Sequence, residues 1–387
     1  MSLTSRISSE LMRACGVVAC AVAALGLSAC GASKPSPSPL EKLQPGVALS
    51  VLWSHRVDTI EGPMSLAVAG DTLVSASSDG DVQALRVTDG APVWRLEVRS
   101  DLSALVGSDG RYVAVVTQSN DLLVFDREAQ TADKPVWQER QPGRVLTAPL
   151  VAGERVFVEG VDRSVRAYDL KDGRWLWQYQ RPGGEPLALG ASVVLSPFKD
   201  TLLTAQGSRL VGLDPTKGAV RFDVNVGSPR GTNEVERLAD LVAPLARAGG
   251  DTGCARVFQL SVACLDLSKG SVLWSRPQAG MQAVAASTQL VVGSDGADRL
   301  TAWKVDGGDF AWRVDRFTYR GLSAPAMWRD KVAVADRDGY VHLLNAADGS
   351  TAARIELDSA PATAPRVVQD KLIVVTRKGT VYALAVN

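Results

Sequence analysis

Through most of the chain apolar and polar residues alternate in short runs, and each run ends at a turn of Gly with Asp, Glu, Lys or Arg. Alternation with a period of two puts one side of a strand into a core. One stretch gives the frame: Ser164-Val165-Arg166-Ala167-Tyr168-Asp169, then Leu170-Lys171-Asp172-Gly173, then Arg174-Trp175-Leu176-Trp177. It reads as strand, Asp/Gly turn, and a second strand with Trp four residues after the Gly. The frame returns at 81–85 with Gly90 and Trp94, at 210–214 with Gly218 and Phe222, and at 262–266 with Gly270 and Trp274. It returns again at 300–303 with Gly308 and Trp312, and at 341–345 with Gly349. Residues 122–126 lead to Trp137 across a longer turn, and 381–384 open an eighth copy that stops before its last strand.

Each unit fits four short strands. In the third they are predicted at 146–151, 155–160, 164–169 and 174–180. Repeats of about 40 residues with four strands apiece predict propeller blades rather than a sandwich or a solenoid. The two ends of the chain have complementary deficits. The eighth copy lacks a fourth strand, and the Trp53-bearing strand at 47–57 has no unit before it. Pairing 47–57 beside 380–386 removes both deficits and covers sheet edges that would invite aggregation. The expected fold is therefore all-β: an eight-bladed β-propeller of four-stranded antiparallel blades, the last closed by the N-terminal strand. Trp53, Trp94, Trp137, Trp177, Trp274 and Trp312 occupy one slot on the outer strands, with Phe222 and Ala353 in the equivalent places. A large indole at a fixed place can dock on the next blade and bond its N–H to backbone.

The first residues read differently. Arg6 and Arg13 give a basic start, residues 14–29 are almost wholly small and apolar, and Leu27-Ser28-Ala29-Cys30 follows. A charged n-region, an apolar h-region and small residues before a cut describe an export signal. The four residues resemble the lipobox of bacterial lipoproteins, which makes Cys30 the first mature residue and the site of lipidation. More than one acyl chain makes such anchoring stable. Alternating Pro and Ser then predict a solvated, semi-extended tether. The expected organisation is 1–29 signal peptide, 30–46 lipidated Cys and tether, and 47–387 propeller.

Composition narrows the chemistry. Lys plus Arg and Asp plus Glu both number 42 in 387 residues, so no basic field attracts nucleic acid. Two His leave few imidazoles for metal or acid–base work. Asp79-Gly80-Asp81 and Asp336-Arg337-Asp338-Gly339 lack the Asp-x-Asp-x-Asp-Gly run and distal Glu of a calcium loop, and fit hairpin turns. No metal or cofactor is expected. After the signal, Cys254 and Cys264 are the remaining thiols. A two-residue turn at Gln259-Leu260 would put them on opposite faces. A three-residue turn centred on Gln259 would put them directly opposite, so buried thiols and a disulfide both stay open.

The frame Asp-x-x-[Thr/Lys/Asp]-Gly-x-x-x-Trp resembles the repeat of pyrroloquinoline-quinone propellers, a group holding dehydrogenases and non-enzymatic relatives. Lipobox, Pro/Ser tether and eight such units together are similar to the BamB family, lipoproteins of the outer-membrane β-barrel assembly machinery. Residues 231–240 resemble that family's Gly-Ser-Thr-Glu-Ile-Asp-Arg-Leu-Ser-Asp stretch, residues 320–325 its Arg-x-Leu-[Ser/Thr]-x-Pro, and residues 338–341 its Glu-Gly-Tyr-Leu. The resemblance implies a non-catalytic scaffold, lipid-anchored at the outer membrane and facing the periplasm. It implies binding to BamA POTRA domains through inter-blade loops and contact with unfolded outer-membrane proteins. By that resemblance Leu187, Leu189, Arg237, Asp240 and Arg320 are the partner-binding candidates; read from the residues alone, the two leucines could equally enter the inner strand of blade four as core, and the three charges could equally form intramolecular salt bridges. Gly190 stands where the family has Arg, and Val242 where it has a second Asp. The alternative expectation is a periplasmic quinoprotein-like oxidoreductase. The chain is short for one and lacks the adjacent Cys pair that such enzymes often carry.

Overall fold

The computed structural model describes residues 35–43, 47–57, 66–130, 132–145, 147–182, 194–228 and 239–386. The chain divides into two units, Met1–Pro37 and Ser38–Asn387, and every described strand lies in the second. The strands form eight antiparallel sheets of four, the eight-bladed propeller that the repeat predicts. Blades 1 to 7 span 66–97, 102–140, 150–179, 195–225, 241–277, 285–314 and 326–356. Blade 8 takes Arg366–Val368, Lys371–Val375 and Thr380–Val386 from the C-terminus and Leu49–Arg56 from the N-terminus. Leu49 pairs with Val386 and Arg56 with Thr380, with a bulge between Val51 and Trp53.

Burial follows strand position. The second and third strands are almost wholly buried, as in Arg155–Glu159 and Val165–Asp169, because a neighbouring blade covers each face. The fourth strands form the rim and alternate, as in Trp175–Tyr179, where Trp175 is exposed and Trp177 buried. Apolar clusters then bridge successive blades all the way round. Phe157, Val165 and Trp177 of blade 3 meet Leu202, Val211 and Leu213 of blade 4. At the seam, Trp53, Ile373 and Val375 of blade 8 meet Leu73 and Leu85 of blade 1. Another cluster, Val242, Ala283 and Ala324 with Phe258 and Ala364, joins the approaches to the first strands of blades 5 to 8.

The recurrent aromatics stack on the glycine of the next blade's turn. A Cβ on Gly173, Gly218, Gly308 or Gly349 would fall within 3 Å of the Trp137, Trp177, Trp274 or Trp312 ring respectively. These glycines have φ near +70°, which Gly adopts without steric penalty. The indole N–H groups bond onward: Trp137 to Leu170 O at 2.8 Å, Trp177 to Pro215 O at 3.0 Å, Trp274 to Val305 O at 2.6 Å and Trp312 to Ala346 O at 2.7 Å. Two positions depart from the rule for one reason. The blade 2 turn that faces Trp94 is longer and has no Gly, and the Arg127 guanidinium lies 4.7 Å above the Trp94 ring instead. Blade 8 has no turn before its fourth strand, so an indole at position 353 would have nothing to stack on, and the residue there is the buried Ala353.

Part of the stretch read as a solvated tether is tied down. Ser38 N donates to Thr318 O at 2.9 Å, and Ser38 O accepts from Arg320 Nη1 at 2.9 Å. Glu41 pairs with Arg316 at 3.1 Å and also accepts from the Thr351 hydroxyl. Ser38 and Glu41 of the 30–46 segment are thus tied to the chain of blades 6 and 7. Cys30, the expected lipidation site, lies outside the described residues.

Candidate partner-binding face

In an up-and-down four-stranded blade, the link from one blade's fourth strand to the next blade's first strand emerges on the same face as the turn between strands two and three. Asp240 and Arg320 belong to such inter-blade links, after blades 4 and 6. Leu187, Leu189 and Arg237 fall in the links after blades 3 and 4 and lie outside the described residues. The two described candidates are buried in ion pairs within the fold.

Asp240 is 6% exposed and accepts from Arg163 Nη2 at 2.7 Å. Arg163 sits in the blade 3 turn with φ +57°, and its carbonyl accepts from Gln206 of blade 4 at 3.1 Å. Beneath this pair lies Glu159, which is fully buried. Thr204 Oγ1 donates to its Oε2 at 2.7 Å and Gln206 Nε2 to its Oε1 at 3.4 Å. Burial pushes the Glu159 carboxyl up to about 8, against the opposing hydrogen bond from Thr204. At neutral pH this group is therefore mostly a neutral acid that spaces blades 3 and 4.

Arg320 is 4% exposed, and its side chain makes three hydrogen bonds. Its Nε donates to Asp336 Oδ2 at 2.7 Å, its Nη2 to Asp338 Oδ2 at 2.8 Å, and its Nη1 to Ser38 O. Asp336 is fully buried and also meets His342 Nε2 at 2.8 Å. Burial raises the Asp336 pKa, but bonds from His342, the Tyr340 N–H and Arg320 outweigh it and hold the carboxyl below its usual range. The Asp336-Arg337-Asp338-Gly339 turn is thus also the clamp for Arg320. Sequence reasoning leaves Asp240 and Arg320 open between interface charges and intramolecular salt bridges; in the fold Asp240 ties the link after blade 4 to blade 3, and Arg320 ties the link after blade 6 to blade 7 and to Ser38.

Sequence reasoning missed Arg256 altogether. It is fully buried and donates to Gln278 O at 2.9 Å and Ser294 O at 2.8 Å, bridging blades 5 and 6. It also missed the exposed apolar side chains on the same face: Val161 in the blade 3 turn, Met281 after blade 5 and Tyr319 after blade 6. A lone apolar residue in a polar loop gives no periodic signal, so only the folded face reveals them. Cys254 and Cys264 pair directly across strands two and three of blade 5 and are joined as a disulfide. The turn between them has three residues, 258–260, with Gln259 at φ +53°.

Among the described residues no three His, Cys, Asp or Glu gather to hold a metal. The approaches to the hub carry Val242, Ala283 and Ala324. The two cysteines are tied across a hairpin and buried, not adjacent in sequence. A groove of about 810 Å³ between blades 1 and 2 is lined by mixed charges, including Arg99, Arg127, Glu97 and Asp133, and lies away from all of these residues.

A family model described as outer membrane protein assembly factor BamB matches residues 78–314 and 318–387. The curated protein of that name from Burkholderia pseudomallei is 32% identical over 380 residues, covering 96% of this chain and 98% of that one. The one from Escherichia coli is 23% identical over 362 residues, covering 90% and 91%. The crystal structure of BamB from Moraxella catarrhalis superposes with a TM-score of 0.74 at 23% identity, covering 87% of this chain and 99% of that one. Quinohemoprotein alcohol dehydrogenase from Comamonas testosteroni shares the fold, with a TM-score of 0.64 at 14% identity, covering 87% and 76%. With the family model spanning most of the propeller, the chain belongs to the outer membrane protein assembly factor BamB family.

Proposed function

We propose that this chain is a non-catalytic scaffold of the outer-membrane β-barrel assembly machinery. It is held at the outer membrane by lipid on Cys30 and faces the periplasm. Its inter-blade face docks on BamA POTRA domains, and the bound assembly assists folding and insertion of outer-membrane proteins. The observation that carries the reading is the family match along nearly the whole propeller. The packing of the ring supports it: loops carried on blades that are packed against one another make low-entropy docking elements.

In this reading the energy of docking comes from Leu187 and Leu189 with the exposed Val161, Met281 and Tyr319. Asp240 and Arg320 hold the face in shape, and Arg237 adds charge to the contact. The test is cross-linking in native membranes followed by identification of the captured partner. Capture of BamA by the parent chain, and its loss in a Leu187→Asp/Leu189→Asp variant with unchanged melting, is the expected result. Retained capture in that variant removes the leucines from the interface, and absence of BamA from the parent's cross-links sinks the docking. For the anchor, Cys30→Ser is expected to leave an unprocessed or soluble species, and unchanged membrane extraction would contradict lipidation there.

A further inference from the structure

We infer that Arg337 and Arg377 form a carboxylate-binding notch on the inter-blade face, built to take an acidic extended segment of a protein partner. The two occupy equivalent places in successive blades. Each is in the turn between strands two and three, and each donates its backbone N–H to the preceding inter-blade link: Arg337 to Arg320 O at 3.2 Å and Arg377 to Ala360 O at 2.9 Å. Both side chains are exposed, and both line one cavity of about 440 Å³ between blades 7 and 8. They are the only charged residues among those lining it.

Neither guanidinium has a hydrogen-bonded acid among the described residues, and the acids on the adjoining turns and links have other partners. Asp336 and Asp338 are committed to Arg320. Asp358 accepts from Thr380 Oγ1 at 2.6 Å. Asp298, which attracts Arg337 only through space, accepts the N–H groups of Gly321 at 2.7 Å and Leu322 at 3.0 Å. The Arg337 stem is also positioned: it lies over Gly321, where a Cβ would come within 3.1 Å of its Cδ. Two planar forks lining one notch, neither of them hydrogen-bonded to an acid among the described residues, are matched to a pair of carboxylates.

The rest of the lining selects the kind of ligand. It is Ala, Ser, Thr, Pro and Gly with one Leu and one Gln, a shallow floor with no aromatic wall. Small-molecule sites enclose most of their ligand between largely apolar walls. An open notch of small residues instead admits a chain lying across it, with side-chain carboxylates reaching the two forks. The inference does not depend on docking to BamA, because its test needs no assembly component.

The test is fluorescence anisotropy on the purified full chain at low salt. The probes are a labelled short peptide with neighbouring Asp and Glu, its Asn/Gln isostere, and inorganic phosphate as competitor. The expected result is binding of the acidic peptide, about tenfold or more weaker binding of the isostere, and a similar loss in Arg337→Gln/Arg377→Gln. The Lys double variant is expected to fall between, since it keeps charge and loses the fork. Should the Gln double variant melt early, Arg377→Gln alone serves, because that side chain makes no hydrogen bond within the described fold. Equal binding of acidic peptide and isostere, or wild-type binding by a folded Gln variant, would overturn the notch. Phosphate binding as tight as the peptide would mean a small-anion site and would overturn the peptide assignment.

Discussion

The indole of Trp53 lies flat on Gly90 of the neighbouring blade: a Cβ on Gly90 would fall 2.5 Å from Trp53 Cε3, and Trp53 Nε1 donates to Val87 O at 3.0 Å. This contact joins the N-terminal strand to blade 1 across the seam. Trp53→Ala is expected to cost roughly 3–5 kcal/mol. Gly90→Ala, at φ +72°, is expected to cost roughly 1–3 kcal/mol by overpacking. In the Trp53→Ala background the cost of Gly90→Ala should shrink, because the ring it collides with is gone. Urea midpoints of the four proteins close the cycle, and strict additivity would refute the stacking.

Arg320→Ala strands Asp336 as a buried charge beside His342. Breaking such a pair from one side costs roughly 3–5 kcal/mol. We expect early melting and release of Ser38, read as new proteolytic cleavage before residue 47. A variant that melts as the parent does would show that the clamp is dispensable. Loss of partner capture in this variant would therefore report on the fold before it reports on the interface.

Glu159 gives the stability a pH slope of defined sign. Its carboxyl titrates near 8 when folded and near 4.5 when unfolded, so between these values the unfolded chain has lost a proton that the folded chain keeps. Stability contributed by this site is then full below the unfolded value and falls as pH rises toward 8. Glu159→Gln is expected to melt with the parent near pH 4.5 and above it at pH 8. Equal melting at both pH values would refute the neutral acid.

The cross-strand disulfide closes a short loop of sequence separation 10. Cys254→Ala/Cys264→Ala is expected to lose roughly 2–3 kcal/mol. Intact mass without reductant should be about two hydrogens lighter than with it, and identical masses would rule the bond out.

The blades were legible in the sequence because two physical demands recur at fixed spacing. The turn needs a residue at φ near +70°, met by Gly173, Gly218 and their counterparts, and the rim needs a plate to cover that glycine. Even the exception at Ala353 follows from that rule. The first strands were far less legible. Blade 6 begins with only Ala285–Ala286, and blade 3 with Leu150–Ala152 where 146–151 is predicted, because two or three paired residues carry no periodicity. The roles of Asp240 and Arg320 were illegible for another reason. Arg163 is 77 residues from Asp240, and Asp336 reads as an ordinary hairpin Asp until the fold brings Arg320 onto it. A charge that serves an interface and one that braces a blade look alike in a chain.

Blade 8 makes folding wait. Among the described strands Leu49–Arg56 is synthesised first and its partner Thr380–Val386 last. Until Thr380–Val386 is released, Leu49–Arg56 has no ladder to join and the circle stays open, with edges bare to any passing polypeptide. Without Thr380–Val386 the whole wheel would lose its latch, so this one late strand decides whether the blades before it become a stable protein.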